Sequence, residues 1–94
     1  MADGIVGAWQ RLISGDVDWP LHALRHLPSG QTTGWYFWTG ELLSDDSFFR
    51  PWHTRHLVDL IPGLEPHLAL EPGTRLIYAP DHLDVWHDSS LLVE

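Results

Sequence analysis

The sequence predicts an α+β fold, a single small domain in which two or three helices pack on a mainly antiparallel sheet of about four strands. Three observations lead to this prediction. The chain has 94 residues, which suits one domain. Hydrophobic residues supply 44% and charged residues 19%, a balance typical of globular proteins and not of disordered chains or coiled coils. Segments with strand composition and segments with helical spacing also follow one another, separated by proline and glycine.

The first predicted element is a helix over residues 3–14. Asp3 can cap its N-terminus, and Gly15 is available to end it. Five apolar residues follow the spacing of one helical face: Ile5, Val6, Trp9, Leu12 and Ile13.

Two strands are predicted next. Residues 21–27 follow Trp19, which precedes a proline and therefore avoids the helical region. A turn at 28–30 leads to a second strand over 34–40, which contains four consecutive aromatic residues. Because this strand has apolar side chains on both faces, we expect it to be central in the sheet, with its aromatic residues in the core.

The second half of the chain predicts a helix followed by a hairpin. Pro51 suits the first turn of a helix over 51–60, and a further helical turn is expected over 66–70. Strands over 74–79 and 83–88, separated by a short turn, predict an antiparallel hairpin.

The charge balance excludes several classes of partner. Thirteen acidic residues stand against five basic ones, so the formal net charge is -8. Such a chain repels nucleic-acid phosphates and anionic lipids, and no apolar run approaches the roughly 20 residues that span a bilayer. The first residues have neither a basic leader nor an apolar signal core. We therefore expect a cytoplasmic protein that binds neither nucleic acid nor membrane.

Catalytic motifs are absent from the sequence. There is no cysteine, which removes thiolate nucleophiles, thiolate zinc sites and iron–sulfur clusters. Neither a G-x-S-x-G elbow nor a glycine-rich phosphate loop occurs. The sequence therefore predicts a protein that is not an enzyme and holds no cofactor.

Histidine pairs are the remaining candidates for metal or ligand binding. His22 and His26 are four residues apart, and His53 and His56 three apart, but neither pair has the glutamate of an H-E-x-x-H zinc motif. The sequence therefore predicts no metal site. One alternative stays open, a small-ligand or metal-binding accessory protein with a pocket of aromatic and imidazole side chains. That pocket would be formed by His22, His26, Trp35, Trp38 and His53.

Five sequence blocks, taken in order, resemble a known family. The blocks are L-H-A-L-R-H-L-P, T-T-G-W-Y-F-W-T-G-E, F-F-R-P-W-H-T-R-H-L, L-E-P-G-T-R-L-I-Y-A-P and L-D-V-W-H-D. Over residues 19–88 the chain is similar to small bacterial proteins grouped with the immunity proteins of polymorphic toxin systems. The resemblance carries no catalytic residues. It implies a non-enzymatic module that binds a protein partner, a cognate toxin, and neutralises it by occlusion.

Acidic and aromatic residues are the candidates for such an interface. Many toxins are basic, so an acidic surface would attract one, and tryptophan is enriched at binding hot spots. The candidate partner-binding residues are Glu41, Asp45, Asp46, Trp52, Asp84, Trp86 and Asp88. A structural domain or an oligomer subunit is a third possibility, and the sequence leaves the oligomeric state open.

Overall fold

A computed structural model describes residues 4–40 and 49–92. Six strands form one sheet in the order β4-β1-β3-β2-β5-β6. The strands are β1 (Ile5–Trp9), β2 (Leu21–Arg25), β3 (Thr32–Thr39), β4 (Phe49–His53), β5 (Thr74–Ala79) and β6 (His82–His87). Helices α1 (Gln10–Ile13) and α2 (Thr54–Leu60) are accompanied by two 3₁₀ helices, Pro62–His67 and Ser89–Leu92. No helix within these ranges is long and apolar enough to cross a membrane.

The predicted α+β class is confirmed, but the sheet is larger and more mixed than expected. The described residues form six strands where about four were predicted. Strands β1 and β3 run parallel, whereas the other neighbours are antiparallel.

The N-terminal helix predicted over residues 3–14 is wrong. Ile5–Trp9 is a strand, and only one helical turn follows it. Val6 and Ala8 are buried in strand alternation. A Cβ at Gly7 would lie 2.4 Å from Cδ1 of Tyr36, so this glycine lets the Tyr36 ring pack across β1. Pairing with β3 and β4 thus overrides a spacing that also fits a helix.

The helix predicted over 51–60 begins later, at Thr54. Pro51 is not in its first turn but in β4, where it pairs with Gly7. Proline lacks an N–H group and is therefore tolerated in an edge strand, the position of β4 in this sheet. The helical turn predicted over 66–70 occurs earlier, as the Pro62–His67 3₁₀ helix.

The other predicted strands are confirmed. β2 lies within 21–27, and β5 and β6 form the predicted antiparallel hairpin. β3 begins two residues before the predicted start and is central, between β1 and β2.

The core lies mainly between the sheet and the helices. Trp35 and Phe37 point to this helix-bearing face and stack at 5.7 Å between ring centroids. The indole Nε1 of Trp35 donates to the carbonyl of Leu68 at 3.0 Å, which joins the central strand to the segment after the 3₁₀ helix. A smaller cluster covers part of the other face, which we call the open face: Leu24, Trp38 and Leu91, with Trp9, Tyr36 and Phe49 against them.

Candidate partner-binding surface

Strand β6 is exposed along its whole length. It pairs with β5 on one side, and within residues 4–40 and 49–92 no strand lies on its other side. Three of its apolar residues remain accessible, with exposed fractions of 42% for Leu83, 46% for Val85 and 45% for Trp86. Large apolar groups grouped on one strand are a mark of interaction surfaces.

The pairing with β5 divides these side chains between the two faces of the sheet. Leu83 is opposite Tyr78, and therefore lies with Val85 on the helix-bearing face. Trp86 is opposite Arg75, and lies with Asp84 on the open face. Both sides of β6 therefore present apolar area to solvent.

Trp19 extends this apolar area on the helix-bearing face. It is 44% exposed, and its ring meets that of Tyr78 edge to face at 5.9 Å between centroids. Tyr78 in turn lies against Gly63, where a Cβ would be 1.9 Å from the phenolic oxygen. We call the exposed side chains of β6, together with Trp19 and Tyr78, the β6 surface.

The β6 surface is acidic. The Asp84 carboxylate is 60% exposed and accepts a hydrogen bond from Nε2 of His82 at 2.9 Å. Asp81 is exposed in the turn before the strand. On the neighbouring strand, the guanidinium of Arg75 is paired with Asp88 at 2.7 Å. Its positive charge is therefore largely matched by Asp88, and the carboxylates of Asp81 and Asp84 dominate this edge.

Asp88 is engaged within the fold. One carboxylate oxygen accepts Nε of Arg75, and the other accepts the backbone N–H and the hydroxyl of Ser90 at 3.0 and 2.6 Å. Hydrogen bonds from Ser90, and then from Arg75, lower the pKa of Asp88 to about 2. These hydrogen bonds connect the end of β6 to the Ser89–Leu92 3₁₀ helix, whose Leu91 is buried in the open-face cluster.

The other predicted partner residues are not grouped with Trp86. Trp52 lies on β4, at the opposite edge of the sheet, half-buried against the core with its ring 6.0 Å from that of His56. Glu41, Asp45 and Asp46 lie outside the described residues. Of the predicted set, Asp84 and Trp86 are therefore the two described residues that form one exposed surface.

The five residues of the alternative pocket do not line a common cavity. Trp35 points to the helix-bearing face and Trp38 to the open face. His22 stacks on Trp38 at 5.5 Å between centroids, and burial lowers its pKa. His26 meets Tyr36 and donates from Nδ1 to the carbonyl of Leu91 at 3.1 Å. His53 pairs with Ile5 at the β4 edge.

A cavity of about 190 Å³ opens between β1, β3 and β4, with Gly7, Gly34, Trp35 and Tyr36 in its wall. Small-molecule sites usually measure about 300–1,000 Å³, so this cavity is smaller than a typical ligand pocket. A second hollow of about 350 Å³ is more open to solvent and is lined by Gly4, Ile5, Gln31 and His53, so it includes His53 alone of the five alternative residues. In the described part of the chain, no three His, Asp or Glu side chains are grouped as a metal site would require.

Sequence reasoning did not identify Trp19, Leu83 or Val85 as surface residues. One signal was present, because apolar residues at 83, 85 and 86 occupy both faces of the last strand. What the sequence does not give is that β6 is an edge, since its position depends on which strands pair with β5.

Comparison with known protein families identifies this chain's family. A family model described as an Imm33-like domain matches residues 3–88, which is nearly the whole chain and includes β1 as well as the blocks noted above. No curated protein matches, and no solved structure does.

Proposed function

We propose that this chain, which belongs to the Imm33-like domain family, is an immunity-type protein that binds a cognate toxin and neutralises it by occlusion. The observation that carries the proposal is the β6 surface, where apolar side chains stay exposed on both faces of an edge strand. The family supports an immunity role, and the exposed strand supports binding to a protein.

The shape and chemistry of this surface favour a macromolecular partner. Small ligands bind in concave sites, whereas Leu83, Val85 and Trp86 stand on an open strand at the margin of the sheet. Tryptophan is among the residues that dominate binding energy when a partner covers them. We therefore favour protein binding over the small-ligand alternative.

To neutralise a toxin by occlusion, this chain must bind tightly and cover the working surface of the toxin. It does not need to catalyse any reaction. The net charge of -8 would attract a basic partner to this chain and raise the association rate. Burial of Trp86 and Leu83 would then slow dissociation, because related complexes differ mostly in off-rate. In this account the protein acts in the cytoplasm, uses no cofactor and does not transform a substrate. Glu41, Asp45 and Asp46 remain predicted contributors to the negative electrostatic potential of the chain.

Co-expression tests the proposal. If the adjacent gene encodes a secreted protein with a C-terminal toxin domain, that domain is the probe, expressed in a sensitive host with or without this chain. We expect the parent chain to restore growth. Leu83→Ser combined with Trp86→Ala should weaken binding at least ~30-fold and abolish rescue, because one hot-spot residue is worth about 2 kcal/mol.

Leu27→Ser is the matched control, since Leu27 is also an exposed leucine but lies outside β6. It should rescue growth as well as the parent does. Circular dichroism of the purified variants would confirm that each is folded. Failure of the folded parent to rescue would contradict the proposal.

A further inference from the structure

We propose that the partner adds an extended, cationic segment to β6 by backbone hydrogen bonds, as a seventh strand of the sheet. The inference rests on the proposed function and specifies how the β6 surface would be used. It is carried by the orientation of the peptide groups, the regular pairing of β6 without a proline or a bulge, and the local charge.

The first step is to determine which peptide groups of β6 face outward. In an antiparallel ladder, residues alternate between those whose N–H and C=O face the partner strand and those whose groups face away. The backbone N–H of Asp88 donates to the carbonyl of Gly73 at 2.7 Å, so Asp88 faces β5. The register is regular and the alternation has a period of two, so the peptide groups of Trp86 and Asp84 face β5 as well. The peptide groups of the intervening residues therefore point away from the sheet: Leu83, Val85 and His87.

A second hydrogen bond gives the same alternation independently. The N–H of His26 donates to the carbonyl of Gly34 at 2.8 Å, which fixes the residues of β2 that face β3. The same alternation can be followed across the sheet by the β2–β5 and β5–β6 registers. It again places the peptide groups of Asp84 and Trp86 towards β5 and those of Val85 away from the sheet.

The second step compares the two edges of the sheet. Natural proteins protect edge strands with proline, charged side chains, bulges or short length, and the charged residue of β6 is Asp84. β4 has Pro51, which has no N–H to offer an incoming strand. β6 has neither proline nor lysine, and its six pairs with β5 run without a register shift. Six residues span about 20 Å, a length suited to strand addition by a partner.

The third step is the charge of the occupant. An antiparallel pair of two β6 strands would bring two copies of Asp84 close together on the same face, within a dimer of two chains that each carry -8. A cationic segment would be attracted to Asp84, whereas a second copy of β6 would be repelled by it. Lysine or arginine beside Asp84 would gain a carboxylate partner and could also lie over the Trp86 ring.

The two faces of β6 also predict the pattern of the incoming segment. Side chains on its helix-bearing side would meet Leu83 and Val85, and those on its open side would meet Asp84 and Trp86. The partner segment is therefore an extended stretch in which apolar residues alternate with cationic ones.

Residue-resolved amide hydrogen exchange on the full chain tests the proposal with two probes. One is the toxin domain of the neighbouring gene, made catalytically inactive, and the other is a synthetic octapeptide of alternating Lys and Val. In the free chain the amides of Leu83 and Val85 should exchange quickly, whereas those of Asp84 and Trp86 should be protected. Binding should slow exchange at Leu83, Val85 and His87 by about 100-fold and leave the inward amides protected.

Modified peptides and one pair of variants separate backbone pairing from side-chain contact. Antiparallel addition with valine over Leu83 and Val85 requires the valine N–H groups, so N-methylation of every valine should abolish binding, whereas N-methylation of every lysine should not. Parallel addition with valine on the same face would reverse the two results, because the flanking lysines would then make the bonds. Equal effects of the two modifications would overturn strand addition. In the protein, Val85→Pro removes an outward N–H and should lose at least ~30-fold in affinity. Val85→Thr keeps the backbone and the β-branched shape, and should stay within about 5-fold.

The outcomes separate the two proposals. If the toxin domain binds but exchange at Leu83 and Val85 is unchanged, strand addition is overturned and the proposed function stands. If the toxin domain does not bind but the octapeptide protects the amides of Leu83, Val85 and His87, the proposed function is overturned. Strand addition to β6 then stands. Protection of these amides in the free chain, together with sedimentation that depends on concentration, would assign the edge to a second copy and overturn the cationic occupant.

Discussion

Asp84 and Asp88 are four residues apart, yet the structure places them in different situations. The Asp84 carboxylate is largely exposed, with His82 as its hydrogen-bond donor. Asp88 accepts three hydrogen bonds from Arg75 and Ser90. Because Arg75 precedes Asp88 by thirteen residues and reaches it only through the hairpin, the sequence does not distinguish these two carboxylates. We therefore assign Asp88 to the stability of the C-terminal turn, and Asp84 to the exposed acidic edge.

The low pKa of Asp88 predicts the pH at which its contribution disappears. Its pKa falls from 3.8 in a model peptide to about 2 in the fold, so folding favours the charged carboxylate. The stabilisation is fully present above the unfolded pKa and is lost as the pH falls from about 4 to about 2. Asp88→Ala should lower the urea midpoint at about pH 6, and the variant and the parent should converge near pH 2.

Asp81→Ala is the control for this experiment, because Asp81 is an exposed residue of the turn at the other end of the hairpin. Its urea midpoint should match that of the parent across the pH range. A deficit of Asp88→Ala that persists unchanged at pH 2 would show that the carboxylate charge is not what stabilises this turn.

At the scale of elements, β1 is the clearest case in which one sequence pattern fits two structures. The apolar spacing of residues 5–13 suits a helical face. The same residues alternate in burial as a strand, with Val6 and Ala8 inward. Gly7 decides between them, because the Tyr36 ring lies where a side chain would project.

Gly7→Ala therefore distinguishes strand from helix by the sign of its effect. In a helix the substitution would stabilise the protein by about 1 kcal/mol. In β1 the new methyl group meets the Tyr36 ring, so we expect destabilisation of about 1–3 kcal/mol by urea unfolding. In a Tyr36→Ala background the cost should shrink, giving a coupling of at least ~1 kcal/mol between the two sites. An increase in stability on Gly7→Ala would contradict the placement of β1.

The elements that could be predicted from the sequence are those defined by neighbouring residues. β2, β3 and the β5–β6 hairpin follow from short apolar segments bounded by turns. β1 and β4 could not be predicted, because each becomes a strand through pairing with distant residues. Pro51 shows the difficulty directly, since proline suits both a first helical turn and a sheet edge.

The same limit applies to the candidate site. Trp86 is exposed, and it became a candidate interface residue because tryptophan is enriched at binding hot spots. The sequence does not show that Leu83, Val85 and Trp19 are exposed. Their exposure depends on β6 being an edge and on the contact between Trp19 and Tyr78, and neither is a property of the local sequence.

At the scale of the whole molecule, the two edges of the sheet differ in kind. The β4 edge has Pro51 and leads into α2. The β6 edge is regular, apolar on both faces and acidic. The negative net charge of the whole chain would add long-range attraction for a basic partner, and the β6 edge is where we propose that this partner pairs. Both features fit the proposed mode of action, in which the chain covers another protein.

Covering and chemical inactivation differ in stoichiometry, and this difference tests the central claim most directly. The activity of the purified toxin domain is measured while this chain is added in increasing amounts. If the chain works by occlusion, activity should fall in a straight line and reach zero at one equivalent, and the masses of both chains should stay unchanged. If a small fraction of an equivalent inactivates all of the toxin, the chain acts by turnover, and the account is contradicted.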